Sequence, residues 1–212
     1  MGQAWVNRFR PDRDAIWNEM IEELGIALAL DPNDSDVHRI LAAVNLATGR
    51  HDKAAHHQAR ALALNPNDDL IVVQEGELLT WFGRAEEGIA WIQKAMRLNP
   101  YHPERFWNHL GRAFFVARRY AEALAAFQRI STPDHLHHAF MAACQAMLGD
   151  ESAARSHVAE IMKRDPGFRV ESYLATLHYQ HPGDREHHRA ALLKAGLPAL
   201  AAGASTAAAG GS

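Results

Sequence analysis

Five prolines recur along this chain at a nearly constant interval. They lie in Asp31-Pro32-Asn33, Asn65-Pro66-Asn67, Asn99-Pro100-Tyr101, Thr132-Pro133-Asp134 and Asp165-Pro166-Gly167, with successive spacings of 34, 34, 33 and 33 residues. A unit of that length holds two helices and a turn, but it cannot bury an apolar face alone, so it stacks on its neighbours. The period therefore predicts an all-α solenoid of stacked helix-turn-helix repeats, with a binding rather than a catalytic role.

Residue placement inside each interval supports two helices. The turns between them fall at Gly49-Arg50, Gly83-Arg84, Arg118-Arg119 and Gly149-Asp150. Glycine there permits the positive φ that stops one helix, and each proline ends the second helix because it has no amide to donate. Asp36, Asp69 and Asp134 stand near first-helix starts, where a carboxylate can accept from free amides and meets the positive end of the dipole. Small residues recur where the helices must cross: Ala42, Gly76, Gly111 and Ala142 in first helices, and Ala54, Gly88, Ala123 and Ala154 in second helices.

Composition excludes several function classes. The 212 residues are 48% hydrophobic and carry 22 basic against 25 acidic side chains, a formal net charge of -3. No basic footprint points to nucleic acid or an anionic membrane, and neither is expected as a partner. The single cysteine, Cys144, sits in an apolar stretch and is expected to be a buried, redox-silent residue suited to a reducing cytoplasm. The sequence from Met1 to Arg8 has neither a signal-peptide apolar run nor a myristoylation pattern.

The third full unit carries the most specific pattern. Trp107, Leu110, Gly111 and Phe114, followed by Ala123 and Phe127, resemble the W-x2-L-G-x2-Y…A-x3-F signature of the tetratricopeptide repeat. The second unit is looser, with Gly76, Gly88, Ile92, Ala95 and Pro100 but Glu75 where leucine is usual. The resemblance implies a right-handed solenoid over residues 14–166: a lone helix at 14–30, then repeats at about 34–66, 67–100, 101–133 and 134–166. Residues 1–13 read as an N-terminal extension. Residues 167–198 read as C-terminal capping helices, with short helices expected from Phe168 to His178 and from Asp184 to Ala195. Residues 199–212 form an Ala/Gly/Ser tail too poor in large side chains to order itself.

A narrower likeness touches context. The segments Ala61–Asp68, Lys94–Pro103 and Leu193–Pro198 resemble the C-terminal repeat region of bacterial class III adenylate/guanylate cyclases. That implies a regulatory or assembly region, while no segment here is long enough to be the cyclase domain itself. A free-standing adaptor of the same fold is the alternative.

In tetratricopeptide arrays the first helices line a concave groove. Transferred by position, the resemblance implies Arg39, Val73, Glu77, Thr80, Trp81, Asn108, Arg112 and Phe115 as the groove set. These side chains suit a protein or peptide with an acidic group and an apolar anchor. Trp81 and Phe115 read equally well as packing between adjacent helices. The Lys/Asn pairs of the family's carboxylate clamp are missing. Trp107 is expected between helices as a large core ring, and Trp17, Ile21 and Leu24 give the lone first helix an apolar face that could pair with a second copy.

Fourteen histidines raise a metal-binding alternative. His135, His137 and His138, His56 and His57, and His187 and His188 cluster in sequence, but none forms H-E-x-x-H, and adjacent histidines on a helix point apart. No nucleophile elbow, catalytic triad or phosphate loop is present. The sequence thus predicts a scaffold without catalytic residues, cofactor or metal.

Overall fold

A computed structural model describes residues 13–199. The N-terminal extension and the Ala/Gly/Ser tail lie outside the described residues, apart from Arg13 and Ala199. Among the described residues the chain is all-α, with helices α1 (Arg13–Leu30), α2 (Ser35–Ala47), α3 (His51–Leu64), α4 (Asp69–Trp81), α5 (Ala85–Leu98), α6 (Arg105–Val116), α7 (Tyr120–Phe127), α8 (His135–Leu148), α9 (Glu151–Arg164), α10 (Val170–Leu174) and α11 (Pro182–Lys194).

Each repeat is a tight antiparallel pair: α2 with α3, α4 with α5, α6 with α7 and α8 with α9. First helices also pack directly on one another, α2 on α4, α4 on α6 and α6 on α8, whereas each second helix chiefly touches its own partner and the next first helix. The first helices therefore form the inner, tighter curve of the stack. One apolar cluster runs from Leu46 to Leu197 through all the repeats, as expected of units that cannot bury themselves singly.

Asp134 caps α8 as expected, while at α2 and α4 the cap lies one or two residues before the expected acid. Asp34 accepts from the amides of Asp36 and Val37, Asp68 from those of Leu70 and Ile71, and Asp134 from those of Leu136 and His137. Asp36 and Asp69 stand instead in the first turn, where their charge still meets the helix dipole. Asp34 and Asp68 win the capping position because their extended backbone lets a short side chain fold back onto amides two and three residues ahead.

All four interhelical turns use one left-handed residue: Gly49, Gly83, Arg118 and Gly149, with φ of 72°, 80°, 66° and 85°. Arg118 takes this conformation without the freedom of glycine, and among the described residues no other non-glycine residue does. The helix crossings leave no room at the small residues. A Cβ on Gly76 would lie 2.5 Å from Ile92 Cγ1, and one on Gly111 would lie 2.8 Å from the Phe127 ring. At the α6 crossing Phe106 is fully buried. Trp107 is only half-buried, with the Arg129 guanidinium 5.1 Å from its ring centroid and His102 at its edge. One extra residue between Pro100 and Gly111, compared with Pro66 and Gly76, accompanies this outward placement.

The C-terminal helices differ from the expected lengths. α10 stops at Leu174, where the Thr176 hydroxyl donates to the Tyr173 carbonyl at 2.7 Å and the chain departs in an irregular path. α11 begins at Pro182, whose fixed φ and missing amide suit the first helical position.

Candidate interaction surface

The inner face is built by α2, α4, α6 and α8, and part of it is already covered. After α10 the chain runs across the end of α4, where the Gln180 amide donates to the Trp81 carbonyl at 2.9 Å. The Tyr179 and Trp81 rings meet edge to face with centroids 4.9 Å apart, and His178 takes a second edge at 5.7 Å. α11 then packs along α8. Its His188, wholly buried, lies 4.6 Å from the Phe115 ring centroid and 4.5 Å from that of Phe140. Tyr179 Oη and His188 Nδ1 are 3.0 Å apart, Tyr120 Oη and His187 Nε2 are 3.1 Å apart, and Arg118 donates to Asp184 at 2.9 Å. Glu171 on α10 receives both Arg185 and Arg189 from α11, which ties the two C-terminal helices to each other.

The eight positions carried over from the repeat pattern divide accordingly. Val73, Thr80, Trp81 and Phe115 are buried, with Trp81 1% exposed and Phe115 0%. Thr80 gives its hydroxyl to the Gly76 carbonyl at 2.7 Å and packs over Gly88. Trp81 and Phe115 do face inward, yet the chain's own residues 178–188 cover them. Arg39, Glu77, Asn108 and Arg112 remain partly open. Arg39 pairs with Asp36 at 3.0 Å, and its carbonyl accepts from Gln74 at 2.7 Å.

Glu77, His109 and Arg112 form a polar nucleus beside the covering segment. His109 Nδ1 stands 3.5 Å from Glu77 Oε1, and their side chains are 14% and 22% exposed. Burial pushes the Glu77 carboxyl up, but His109 and Arg112 outweigh it and hold the group below its ordinary value. For His109 burial dominates over the pull of Glu77 and lowers the imidazole, with Arg112 and Arg105 adding to the effect. The Arg112 guanidinium lies between aromatic faces, 5.8 Å from the Trp81 centroid and 5.6 Å from that of Phe140. Arg112 Nε and Asn108 Oδ1 are buried without a hydrogen-bond partner. A cation with aromatic walls and an unused donor has the chemistry to receive an acceptor group beside Glu77.

Beside this nucleus a cleft of about 390 Å³ separates residues 175–179 from the start of the array, lined by Trp17, Leu46, His51, Leu177 and Tyr179 among others. Sequence reasoning missed the covering segment and with it His109, Tyr179 and His188. Its available signal was Tyr179-Gln180-His181-Pro182-Gly183, an aromatic and polar run leading into a proline-started helix after the last repeat. Cys144 is fully buried on α8, where burial pushes its thiol well above the usual range.

These features place the chain among all-α helical-repeat folds. The tetratricopeptide repeat family model matches residues 21–69 and 82–135, which supports tetratricopeptide repeats in this chain. The fold is similar to that of PilW, a type IV pilus biogenesis factor (TM-score 0.67, 16% identity over 90% of this chain and 87% of that one). It is also similar to Pseudomonas aeruginosa PilF (0.62, 19% identity, 84% and 82% covered) and to YrrB, described as a tetratricopeptide protein with an unusual peptide-binding site (0.54, 20% identity, 81% and 90% covered). No curated protein matches the chain. No helix among the described residues is long and apolar enough to cross a membrane.

Proposed function

We propose that this chain is a non-catalytic tetratricopeptide scaffold for protein–protein interaction whose partner addresses the inner face at Arg39, Glu77, Asn108 and Arg112, with Trp81 and Phe115 beneath the covering segment, while Val73 and Thr80 are buried within the repeats. The observation that carries this reading is that the same face already holds a peptide, residues 178–188 of the chain itself, through a backbone hydrogen bond, two aromatic contacts and an ion pair. A face that takes a peptide in cis has the chemistry to take one in trans. The similarity to YrrB points the same way. The partner engages Arg112 and Asn108 with an acidic or acceptor group and reaches Trp81 and Phe115 by displacing the covering segment.

Capture of partners from the source cell by the wild-type chain, by Asp184→Arg and by Arg112→Glu tests this. Asp184→Arg sets two cations against each other at Arg118 and should raise capture by loosening the segment. Arg112→Glu should lower it. Capture indifferent to both substitutions would remove the inner face as the site.

The finer contexts are part of the same proposal. A regulatory or assembly role beside a class III nucleotide cyclase rests on the sequence likeness around 61–68, 94–103 and 193–198, and cyclase activity measured with and without these repeats decides it against a free-standing adaptor. A cytoplasmic setting rests on the lone reduced cysteine. Pairing with a second copy rests on the expected face of Trp17, Ile21 and Leu24 on α1, which is partly exposed, and on Ile26 and Leu30 of the same helix, which are 64% and 84% exposed. A monomer in sedimentation at high concentration would eliminate that pairing.

A further inference from the structure

His38 on α2 and His57 on α3 bring their Nδ1 atoms to 3.0 Å, with ring centroids 5.3 Å apart and planes tilted by 39°. The arrangement recurs in the fourth repeat. His138 on α8 and His157 on α9 also place Nδ1 atoms 3.0 Å apart, with centroids at 5.2 Å and a tilt of 42°. Both pairs occupy the same repeat positions: four residues before Ala42 or Ala142 in the first helix, and three after Ala54 or Ala154 in the second. The middle repeats hold Val72 with Trp91 and Trp107 with Ala126 at those positions. The outer two repeats therefore carry two imidazoles spanning the helix pair where the middle repeats carry apolar residues.

The protonation pattern of the first pair follows from its contacts. His38 Nε2 lies 3.1 Å from the Pro32 carbonyl, an acceptor only, so Nε2 carries the proton and Nδ1 presents a lone pair. His57 must then donate from its own Nδ1. A ring whose far N–H is anchored on a carbonyl is the arrangement that orients metal-binding histidines. Burial first, then the facing imidazole, lowers His57 and His138, and burial lowers His157. Neutral rings are what a metal ion requires.

The separation is short enough for one ion to reach both rings. With imidazole–metal bonds of ~2.0–2.1 Å, nitrogens 3.0 Å apart subtend roughly 91–97° at the ion. At an imidazole site of this kind Cu²⁺ binds more tightly than Ni²⁺ or Zn²⁺, by the general order of affinities of divalent first-row ions.

We propose that the His38–His57 and His138–His157 pairs are two equivalent cross-helix chelates for a late divalent transition-metal ion, Cu²⁺ above Ni²⁺. Each ring turns so that its Nδ1 lone pair swings roughly 40° off the Nδ1···Nδ1 line to meet the ion. The His57 proton moves from Nδ1 to Nε2, so each ring stays neutral and no net proton is released. Among the described residues no third histidine, cysteine or carboxylate completes either group. Water fills the remaining positions, and each site is an open two-nitrogen chelate. Because the ion binds only the folded pair, it clips together the two helices of each outer repeat. This inference stands apart from the inner-face reading.

The test is calorimetric titration of the full, untagged chain with CuCl₂, NiCl₂ and ZnCl₂ at neutral pH, with nitrogen couplings read from the electron paramagnetic resonance spectrum of the copper form. Two equivalents of Cu²⁺ are expected, each with two imidazole nitrogens. His57→Gln and His157→Gln should each lose one equivalent, and the double variant both, with helical circular dichroism retained. His56→Gln is the neighbouring control and should retain both. Cu²⁺ should also raise the wild-type melting temperature but not that of the double variant. Absent stoichiometric uptake, uptake persisting in the double variant, or tighter zinc than copper binding would each overturn the assignment.

Discussion

The Gln180 amide donates to the carbonyl of Trp81 at 2.9 Å across nearly a hundred residues of chain. That carbonyl is one of the last of α4 and has no intrahelical donor, so a terminal acceptor of one helix is satisfied by the segment that closes the array. Tyr179→Ala should release this contact. Amide exchange at Gln180 and along α11 should accelerate at least tenfold while α2 and α3 keep wild-type protection, since the segment and α11 pack chiefly on α4, α6 and α8. Equal acceleration throughout would mean that the segment is integral to the fold.

Acid should loosen the same segment. Burial, reinforced by Arg118 and opposed by Asp184, pushes His187 down to about 4 from 6.5, and burial with His187, Arg112 and Arg118 pushes the enclosed His188 well down too. Tyr120, Tyr179, Phe115 and Phe140 surround these two rings and bring no compensating negative charge. The unfolded state takes up their protons first, so the stabilisation is complete above pH 6.5 and declines as pH falls toward 4. Tyrosine and tryptophan fluorescence of α11 contacts should change in that window, and His187→Gln with His188→Gln should flatten the response. A wild-type profile flat from pH 7 to pH 4 would contradict this.

Gly111→Ala should cost about 1–3 kcal/mol in urea unfolding. The added carbon meets three Phe127 ring atoms at 2.8 to 2.9 Å, and that ring is fully buried and stacked on Phe140 at 5.5 Å, so it has nowhere to retreat. An unchanged midpoint would place the α6–α7 crossing elsewhere.

Arg118→Gly should split two readouts. Left-handed backbone costs a non-glycine residue roughly 1–2 kcal/mol, so glycine favours the turn itself. The substitution also deletes the ion pair to Asp184. Global stability should stay level or rise, while exchange protection of α11 falls. Both quantities falling together would show that the turn is not strained.

Gln58→Leu should destabilise by about 1–3 kcal/mol despite its greater apolarity. Gln58 is fully buried, donates to the Ile71 carbonyl at 2.8 Å and accepts from Gln74 at 3.1 Å, while Gln74 also donates to the Arg39 carbonyl at 2.7 Å. Leucine would remove both bonds of Gln58 and leave the buried Gln74 amide with the Arg39 carbonyl as its single acceptor. Urea midpoints of the single variants and of Gln58→Leu with Gln74→Leu measure the coupling.

Much of the fold was written locally. Proline spacing, turn glycines and the small residues Gly76 and Gly111 act on their own backbone or on a helix one turn of chain away, and a linear reading recovers such effects. Even the non-glycine turn at Arg118 was found by position in the repeat. The surface at Trp81 and Phe115 was legible only in part. Their inward direction follows from the repeat, but their cover comes from residues 178–188, and no periodicity links Trp81 to Tyr179 or Arg118 to Asp184. The histidine pairs were hidden for the same reason. His56 and His57 stand together in sequence, yet the meaningful neighbour of His57 is His38 on another helix, at a separation visible only once the two helices are packed.

The covering segment also sets the terms of competition. Because α10 and the buried Phe168, Val170, Tyr173 and Leu174 hold it in place, it meets the inner face at an effective concentration of at least about millimolar, the value for short flexible linkers. A free peptide making only the same contacts would have to approach that concentration to exchange with it. A cellular partner at micromolar abundance must therefore bind about a thousandfold more tightly than the segment does contact for contact, or first engage ground that the segment leaves open, Arg39 and Asn108 among it. On the proposed reading the chain would be selective through its own occupancy, and weak, generic peptides would be refused before any groove residue had to discriminate against them.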